Sequence, residues 1–437
     1  MQHWVEEIKL SNGAEGLLID APSTNVTYID ISFRAGYYLS PEGKMDTAHV
    51  MEHLALGANK VYKKSSQFSQ EFTKHGAYNN AYTGDYHMGY IAECAEFETE
   101  RILDLMCIAI ESPLFKEQDF KSEIANVREE LKMRKNYHDT ELLLELENSL
   151  GFVSKSYGTR TKELSKISLE DIKEHYQKTH FAKNMRFIIA GPLARHKNAI
   201  IKRLENIELP SGGGADRTMG RIDLPDEPPS QSSQPLVIEL NGIDNVYYRW
   251  MSIFNGLLSR REKYALYAVQ DYLFSTFHSK VFGKAREKGL VYGIDSGYYR
   301  TRDNHVWAVS GQVQSKNALP LFDLITKELT KILNGKVSTE ELNWVKDYQW
   351  GSFQKSIQTV SALADWYQYA YLVGGLVKEY PAVEELIYSV KVSDMKKIVE
   401  KLVESSAWSL GIMQNQKTKT EVDNIYQKLN KFYNSKS

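Results

Sequence analysis

One stretch breaks the composition of the chain more sharply than any other: LPSGGGADRTMGRIDLPDEPPSQSSQP, residues 209–235, dense in Gly, Pro, Ser and charge. Such a run cannot carry the apolar periodicity of a helix or strand, so it reads as a linker. The elements on its two sides recur in a similar order, and that recurrence limits the fold more than any single motif. Residues 26–34, VTYIDISFR, alternate Ile29, Ile31 and Phe33 with Asp30, Ser32 and Arg34, the pattern of a half-buried strand. After the break, VIELNGIDNVYYRWMSIF supplies the corresponding strands. The two halves also end alike: ISLEDIKEHYQ passes into MRFIIAG, and VSDMKKIVEKL into AWSLGIM, with Ser168 and Ser393 at the expected helix N-caps.

Strands grouped with long helices, in two copies, predict an α+β chain. It would have two structurally related domains, each a largely antiparallel sheet covered by helices on one face, facing each other across a cleft. The boundaries follow the composition: 1–208, the linker 209–235, and 236–437. A length of 437 residues agrees, since it exceeds what one hydrophobic core usually organises. The glycine run at 212–214 lacks the Lys-Ser/Thr that completes a phosphate loop, so no phosphate site is expected there.

Composition removes several classes of function. With 54 basic and 56 acidic residues there is no field to draw nucleic acid or an anionic membrane, so selectivity must reside in a site. The N-terminal MQHWVEEIKLSNG has neither a basic n-region nor an apolar h-region, and no stretch approaches the roughly 18 apolar residues of a membrane span. A soluble, cytoplasmic protein is expected, in which the Asn25-Val26-Thr27 sequon is a coincidence of strand composition. Cys94 and Cys107 are too few for a disulfide framework and read as reduced packing residues.

The chemistry concentrates in HVMEH, residues 49–53. On a helix, His49 and His53 stand one turn apart on one face, with Glu52 on the adjacent flank. Two imidazoles so placed make half of a catalytic zinc site, which usually takes three protein ligands and leaves one position open. A third Asp, Glu or His must then come from another element. The long helical segment EQDFKSEIANVREELKMRK offers Glu123 and Glu130, seven apart and therefore on one stripe. One could bind the ion while the other supports a ligand imidazole. The competing explanation is a solvated helix face with Glu52 in an ordinary salt bridge.

His-x-x-Glu-His is the inverzincin signature, and this chain resembles, over essentially its whole length, the pitrilysin/insulinase family of zinc metallopeptidases. The likeness is to its short two-domain type, which includes the mitochondrial processing peptidase. In that family the third ligand is a glutamate in a V-x-E-E context, preceded seven residues earlier by another. Val127-Arg128-Glu129-Glu130 with Glu123 matches. The resemblance therefore implies Glu130 as ligand, Glu123 as the acid behind a ligand imidazole, and one Zn2+ per chain. Asn80-Ala81-Tyr82-Thr83 is similar to the family's N-A-x-T strand edge, where an extended peptide substrate pairs with the sheet.

The second half does not repeat the site. Aligning the two halves puts Val345 opposite Glu123 and Ser352 opposite Glu130, and KYALYAVQDYLF has no histidine. Instead, AREKGLVYG resembles the family's Arg-x-x-x-Gly-Leu-x-Tyr element, which implies that Arg286 holds a substrate carbonyl and Tyr292 donates to the oxyanion. The reading that results is a zinc endopeptidase for short or unstructured peptides, with Glu52 as general base. Its rival is a non-catalytic structural or partner subunit, of the kind found among the family's respiratory-complex and heterodimeric members. Glu52, Arg286 and Tyr292 in one chain favour a monomer or homodimer, with a heterodimer the alternative.

Overall fold

The computed structural model describes residues 1–211, 220–227, 229–418 and 420–435, so the glycine run at 212–214 lies outside the described residues. The chain forms two compact units, each assembled from separated stretches. Residues 1–132, 158–225 and 355–378 make the first, and 133–157, 226–354 and 379–437 the second. The contiguous division 1–208 and 236–437 therefore does not describe the packing. Helix His138–Ser149 belongs to the second unit, and helix Val360–Gly374 to the first.

In the first unit, strands β1 (Trp4–Lys9), β2 (Glu15–Asp20), β3 (Val26–Phe33), β4 (Tyr78–Thr83), β5 (Met88–Ala95) and β6 (Met185–Gly191) form one sheet in the order β1-β2-β6-β3-β5-β4. In the second, β7 (Leu236–Glu239), β8 (Val246–Phe254), β9 (Val291–Arg300), β10 (His305–Val313) and β11 (Ala407–Gln414) take the order β7-β11-β8-β10-β9. Only β2–β6 and β7–β11 are parallel pairs; the others are antiparallel. The second order repeats the first from β2 onward, which is the recurrence legible in the sequence.

Strand β3 shows how burial departs from expectation. Ile29, Ile31 and Phe33 face the core, as their alternation requires, but Asp30 and Ser32 on the opposite face are also buried. The reason is the helix Val360–Gly374, which packs on β3 and β6 and shelters that polar row. Ser32 Oγ and Gln368 Nε2 each donate to the Asp30 carboxylate at 2.5 Å, and the Tyr82 hydroxyl donates to it at 3.0 Å. A buried carboxylate is tolerable only when so satisfied.

The second unit repeats the device. Its main core packs Val246, Tyr248, Trp250 and Phe254 of β8 with Trp307 and the helices on that side. Met251 and Ile253, pointing the other way, meet Leu146 and Leu150 at the end of helix His138–Ser149. Both sheets are thus covered on two faces, not one, because each receives a helix from the other half of the sequence.

Local signals fare unevenly. Ser168 caps helix Leu169–Thr179 through a reciprocal box with Asp171, as read from sequence. Ser393 does not cap; helix Val392–Val403 already includes it, and Asp394 accepts from the backbone N–H of Lys391 instead. Thr27 of the sequon is buried and bonded to Thr99, while Cys94 and Cys107 are free and buried, burial pushing both thiols up to about 12. Among the described residues, no helix is long and apolar enough to cross a membrane.

Candidate metal centre

HVMEH lies on helix Thr47–Ala55, whose residues are nearly all buried because it packs between β4 and helix Leu169–Thr179. Glu123 and Glu130 lie on helix Glu117–Arg134 and, two turns apart, share the face turned to the histidines. His49 Nε2 and His53 Nε2 are 3.3 Å apart, and Glu130 Oε2 is 3.6 Å from the first and 3.7 Å from the second.

These three separations test whether a metal fits. Ligand atoms about 2.1 Å from a tetrahedral zinc stand roughly 3.4 Å from one another. The observed triangle has that size, and its donor set, two imidazole nitrogens and one carboxylate oxygen, is a zinc set. Among the described residues, no other trio of His, Cys, Asp and Glu comes together in this way. At the corresponding places on helix Thr339–Ser356 the second unit has Val345, wholly buried, and Ser352.

Orientation of the imidazoles is fixed from behind. For Nε2 to offer its lone pair, Nδ1 must carry the proton and find an acceptor. His53 Nδ1 donates to Glu123 Oε2 at 3.0 Å, the arrangement expected for Glu123. His49 Nδ1 donates to Asp46 Oδ1 at 3.3 Å, a partner not anticipated from sequence. Asp46 is in turn gripped by Arg160, whose Nε and Nη2 reach its two oxygens at 3.0 and 2.5 Å. The Arg160 guanidinium also donates to the Tyr37 hydroxyl at 3.0 Å and lies over that ring. Asp46 and Arg160 are both almost inaccessible. Asp46 had a sequence signal, three residues before His49 on the same helical face; Arg160, more than a hundred positions away, had none.

Electrostatics follow the geometry. Burial would raise the Asp46 carboxyl, but hydrogen bonds from His49 and Arg160, with the guanidinium charge, hold it at about 2. Burial disfavours charge on His53, yet the Glu123 hydrogen bond and the charges of Glu52, Glu123 and Glu130 prevail and raise its pKa. The Glu123 carboxyl is lowered by the hydrogen bond from His53. The carboxylates thus favour positive charge beside the Nε2 atoms.

Glu52 is 7% exposed and is not one of the trio. Its Oε2 accepts a 2.5 Å hydrogen bond from the Thr83 hydroxyl at the end of β4. Thr83 is therefore joined to the site, although sequence grouped it with the substrate edge. β4 is an edge strand, paired only with β5 in its sheet. Ala81 and Thr83 face the same side of the sheet as Ile31 and Phe33 of β3, through Tyr90 and Met88. Asn80 and Tyr82 face the other side, where the Tyr82 hydroxyl is committed to Asp30 and Gln368. The Asn80 side chain bonds its own strand, through the Tyr78 hydroxyl and the Ala81 amide. His87 is buried against the Tyr82 ring outside the trio, its pKa lowered to about 4 by burial and the Arg221 charge.

In the second unit, Arg286 lies in the last turn of helix Phe282–Glu287 and Tyr292 lies on β9. The guanidinium sits 4.8 Å from the centre of the Tyr292 ring, which is 86% exposed. Both line a cavity of about 610 Å³ with Asp139, Asp295 and Asn317.

The comparisons with known proteins agree with this architecture. The family described as "Insulinase (Peptidase family M16)" matches residues 17–161, and "Peptidase M16 inactive domain" matches 166–348. A protein named "Uncharacterized zinc protease" from Rickettsia bellii is 22% identical over 423 residues, covering 93% of this chain and 97% of its own. "Zinc protease PqqE" of Helicobacter pylori is 21% identical, over 90% of this chain and 89% of that protein. A crystal structure of a protease from Helicobacter pylori superposes with a TM-score of 0.80 at 19% identity, covering 95% of this chain and all of the other. Two related α+β units, an HxxEH helix with its distant glutamate, and family matches to each half make this chain a member of the pitrilysin/insulinase family, in its short two-domain form.

Proposed function

We propose that the chain is a zinc-dependent endopeptidase acting on short or unstructured peptides, with the ion held by His49, His53 and Glu130. The observation that carries this reading is the Thr83–Glu52 hydrogen bond, which sets a buried carboxylate between the ligand trio and an open strand edge. Zinc bound to the trio would supply Lewis acidity, lowering the pKa of a water towards about 7 and polarising a carbonyl. Thr83 holds Glu52 through Oε2, and the Glu52 carboxylate is the group that takes a proton from the attacking water and delivers it to the leaving amine. The unpaired edge of β4 would hold the substrate by its main chain, as an added strand. Asn80, Ala81 and Tyr82 then contribute backbone groups more than side chains. Arg286 and Tyr292 are the proposed substrate contacts of the second unit.

A non-catalytic subunit is the second reading, favoured by the name of the family matched at 166–348. That match lies outside the helix bearing HVMEH, and the ligand trio with Glu52 is intact. Digestion of an unstructured fluorogenic peptide by the purified chain, with and without a chelator, separates the two. Chelator-sensitive cleavage by the chain alone supports the peptidase, and cleavage only after a different polypeptide is added supports the partner subunit. Size measurement of the same preparation tests the proposed monomer or homodimer.

A further inference from the structure

The face of the first sheet turned away from helix Thr47–Ala55 carries a cavity that the proposed reaction does not use. It measures about 310 Å³ and is lined by Tyr28, Tyr78, Tyr82, Glu93, Asp365 and Gln368, among others. Register explains its composition. Tyr28 of β3, Glu93 of β5 and Tyr78 of β4 lie directly opposite one another in one row across three strands. Two residues on, Asp30, Ile91 and Asn80 form the next row, and Ser32, Gly89 and Tyr82 the third. Residues paired in register share a face, so the side chains of these rows, all but Gly89 having one, point to the side covered by helix Val360–Gly374. From that helix Ser361, Asp365 and Gln368, at i, i+4 and i+7, supply the facing wall.

Three observations show what would occupy it. The Tyr28 side chain is only 6% exposed, lines the cavity, and among the described residues its hydroxyl has no hydrogen-bond partner. Glu93 and Asp365 line it too, and among the described residues neither is in an ion pair. The Tyr82 ring is folded across Gly89, where a Cβ would meet it at 2.4 Å, so its aromatic face forms part of the wall. Tyrosine rings, an open hydroxyl and two unneutralised carboxylates make an environment for a cation.

We propose that this cavity is a subsite for a cationic side chain, lysine or arginine, of a peptide added to the edge of β4. The assignment rests on the peptide-binding reading of that edge. A strand added to β4 alternates its side chains between the two faces, so every second residue would project beside Tyr78, Asn80 and Tyr82. Asn80 and Tyr78 are three and five positions from Thr83, the residue bonded to Glu52. The favoured cation should therefore lie roughly three to five residues from the cleaved bond, on one side of it only.

The test uses the full chain and labelled unstructured peptides in which one lysine, or one arginine, replaces glutamine at successive positions. Binding is read by fluorescence anisotropy on Glu52→Gln protein, and cleavage on wild-type protein. One position should prefer the cation by roughly fivefold or more, with its neighbours at plus and minus one indifferent. Asp365→Asn with Glu93→Gln should bring that ratio to one while the all-glutamine peptide binds as before, and Tyr28→Phe should reduce the ratio in part. Glu170→Gln with Glu174→Gln, an equal charge change at two exposed residues of helix Leu169–Thr179 in the same unit, should leave it intact. Absence of any preferred position, or a preference that survives the cavity variants, overturns the subsite. Wild-type cleavage without a cation preference refutes this inference alone. A preference in binding without cleavage refutes the peptidase and keeps the subsite, and absence of peptide binding refutes both.

Discussion

Thr83 donates its hydroxyl to Glu52 at 2.5 Å, so the last residue of the edge strand and the acid between the two histidines are one unit. Glu52→Gln should leave about one zinc per chain and lower peptide cleavage by roughly 10²–10⁴-fold. Thr83→Ala should reduce kcat by about tenfold with KM little changed, and Thr83→Ser should restore it. Metal content and steady-state kinetics on the same preparations decide this; full activity in Glu52→Gln would remove Glu52 from the mechanism.

Arg160 and Asp46 stand behind His49, one of the three proposed zinc ligands. Asp46→Ala should weaken zinc binding by roughly 10–100-fold, measured by competition with a chromophoric chelator, because the imidazole loses its orienting acceptor. Arg160→Met leaves the Asp46 carboxylate buried without its cation and should cost about 3–5 kcal/mol of stability. Unchanged zinc affinity in Asp46→Ala would reduce the pair to a packing element.

Asp30 should make stability fall as pH rises. Burial lifts its carboxyl to about 6 despite hydrogen bonds from Ser32, Gln368 and Tyr82, while the unfolded carboxyl titrates near 3.8. Between those values the folded state holds the extra proton, so the contribution of Asp30 is full below the lower value and lost as pH passes the higher. Two pKa units correspond to about 3 kcal/mol. Denaturant unfolding at pH 4 to 7 should show wild-type protein losing about that much relative to Asp30→Asn, and a constant difference would mean that the carboxyl ionises freely.

Tyr292→Phe removes only a hydroxyl from an exposed ring. If that hydroxyl donates to developing negative charge, kcat should fall by about 10²–10³-fold with metal content and melting temperature unchanged. Arg286→Ala should act mainly on KM, whereas equal loss of both kinetic terms would reassign the arginine to the chemical step.

The sequence by itself determined the elements that obey short-range rules. His49, Glu52 and His53 are tied by helical spacing, and Glu123 and Glu130 by two turns of another helix, so the relative positions within each group were set before any packing. Strand order in the second sheet repeats the first because similar segments bury similar faces. Only the tertiary structure decided what crosses the chain. Arg160 reaches Asp46 through packing that no periodicity encodes, and Gln368 reaches Asp30 because a helix from the second half covers the first sheet. That exchange turned a strand expected to be half exposed into a buried one, and made the polar row Asp30, Ser32, Tyr82 an internal network. The alternation of β3 marks two faces correctly; which face meets water depends on elements hundreds of residues away, and the free energy of burial is settled there.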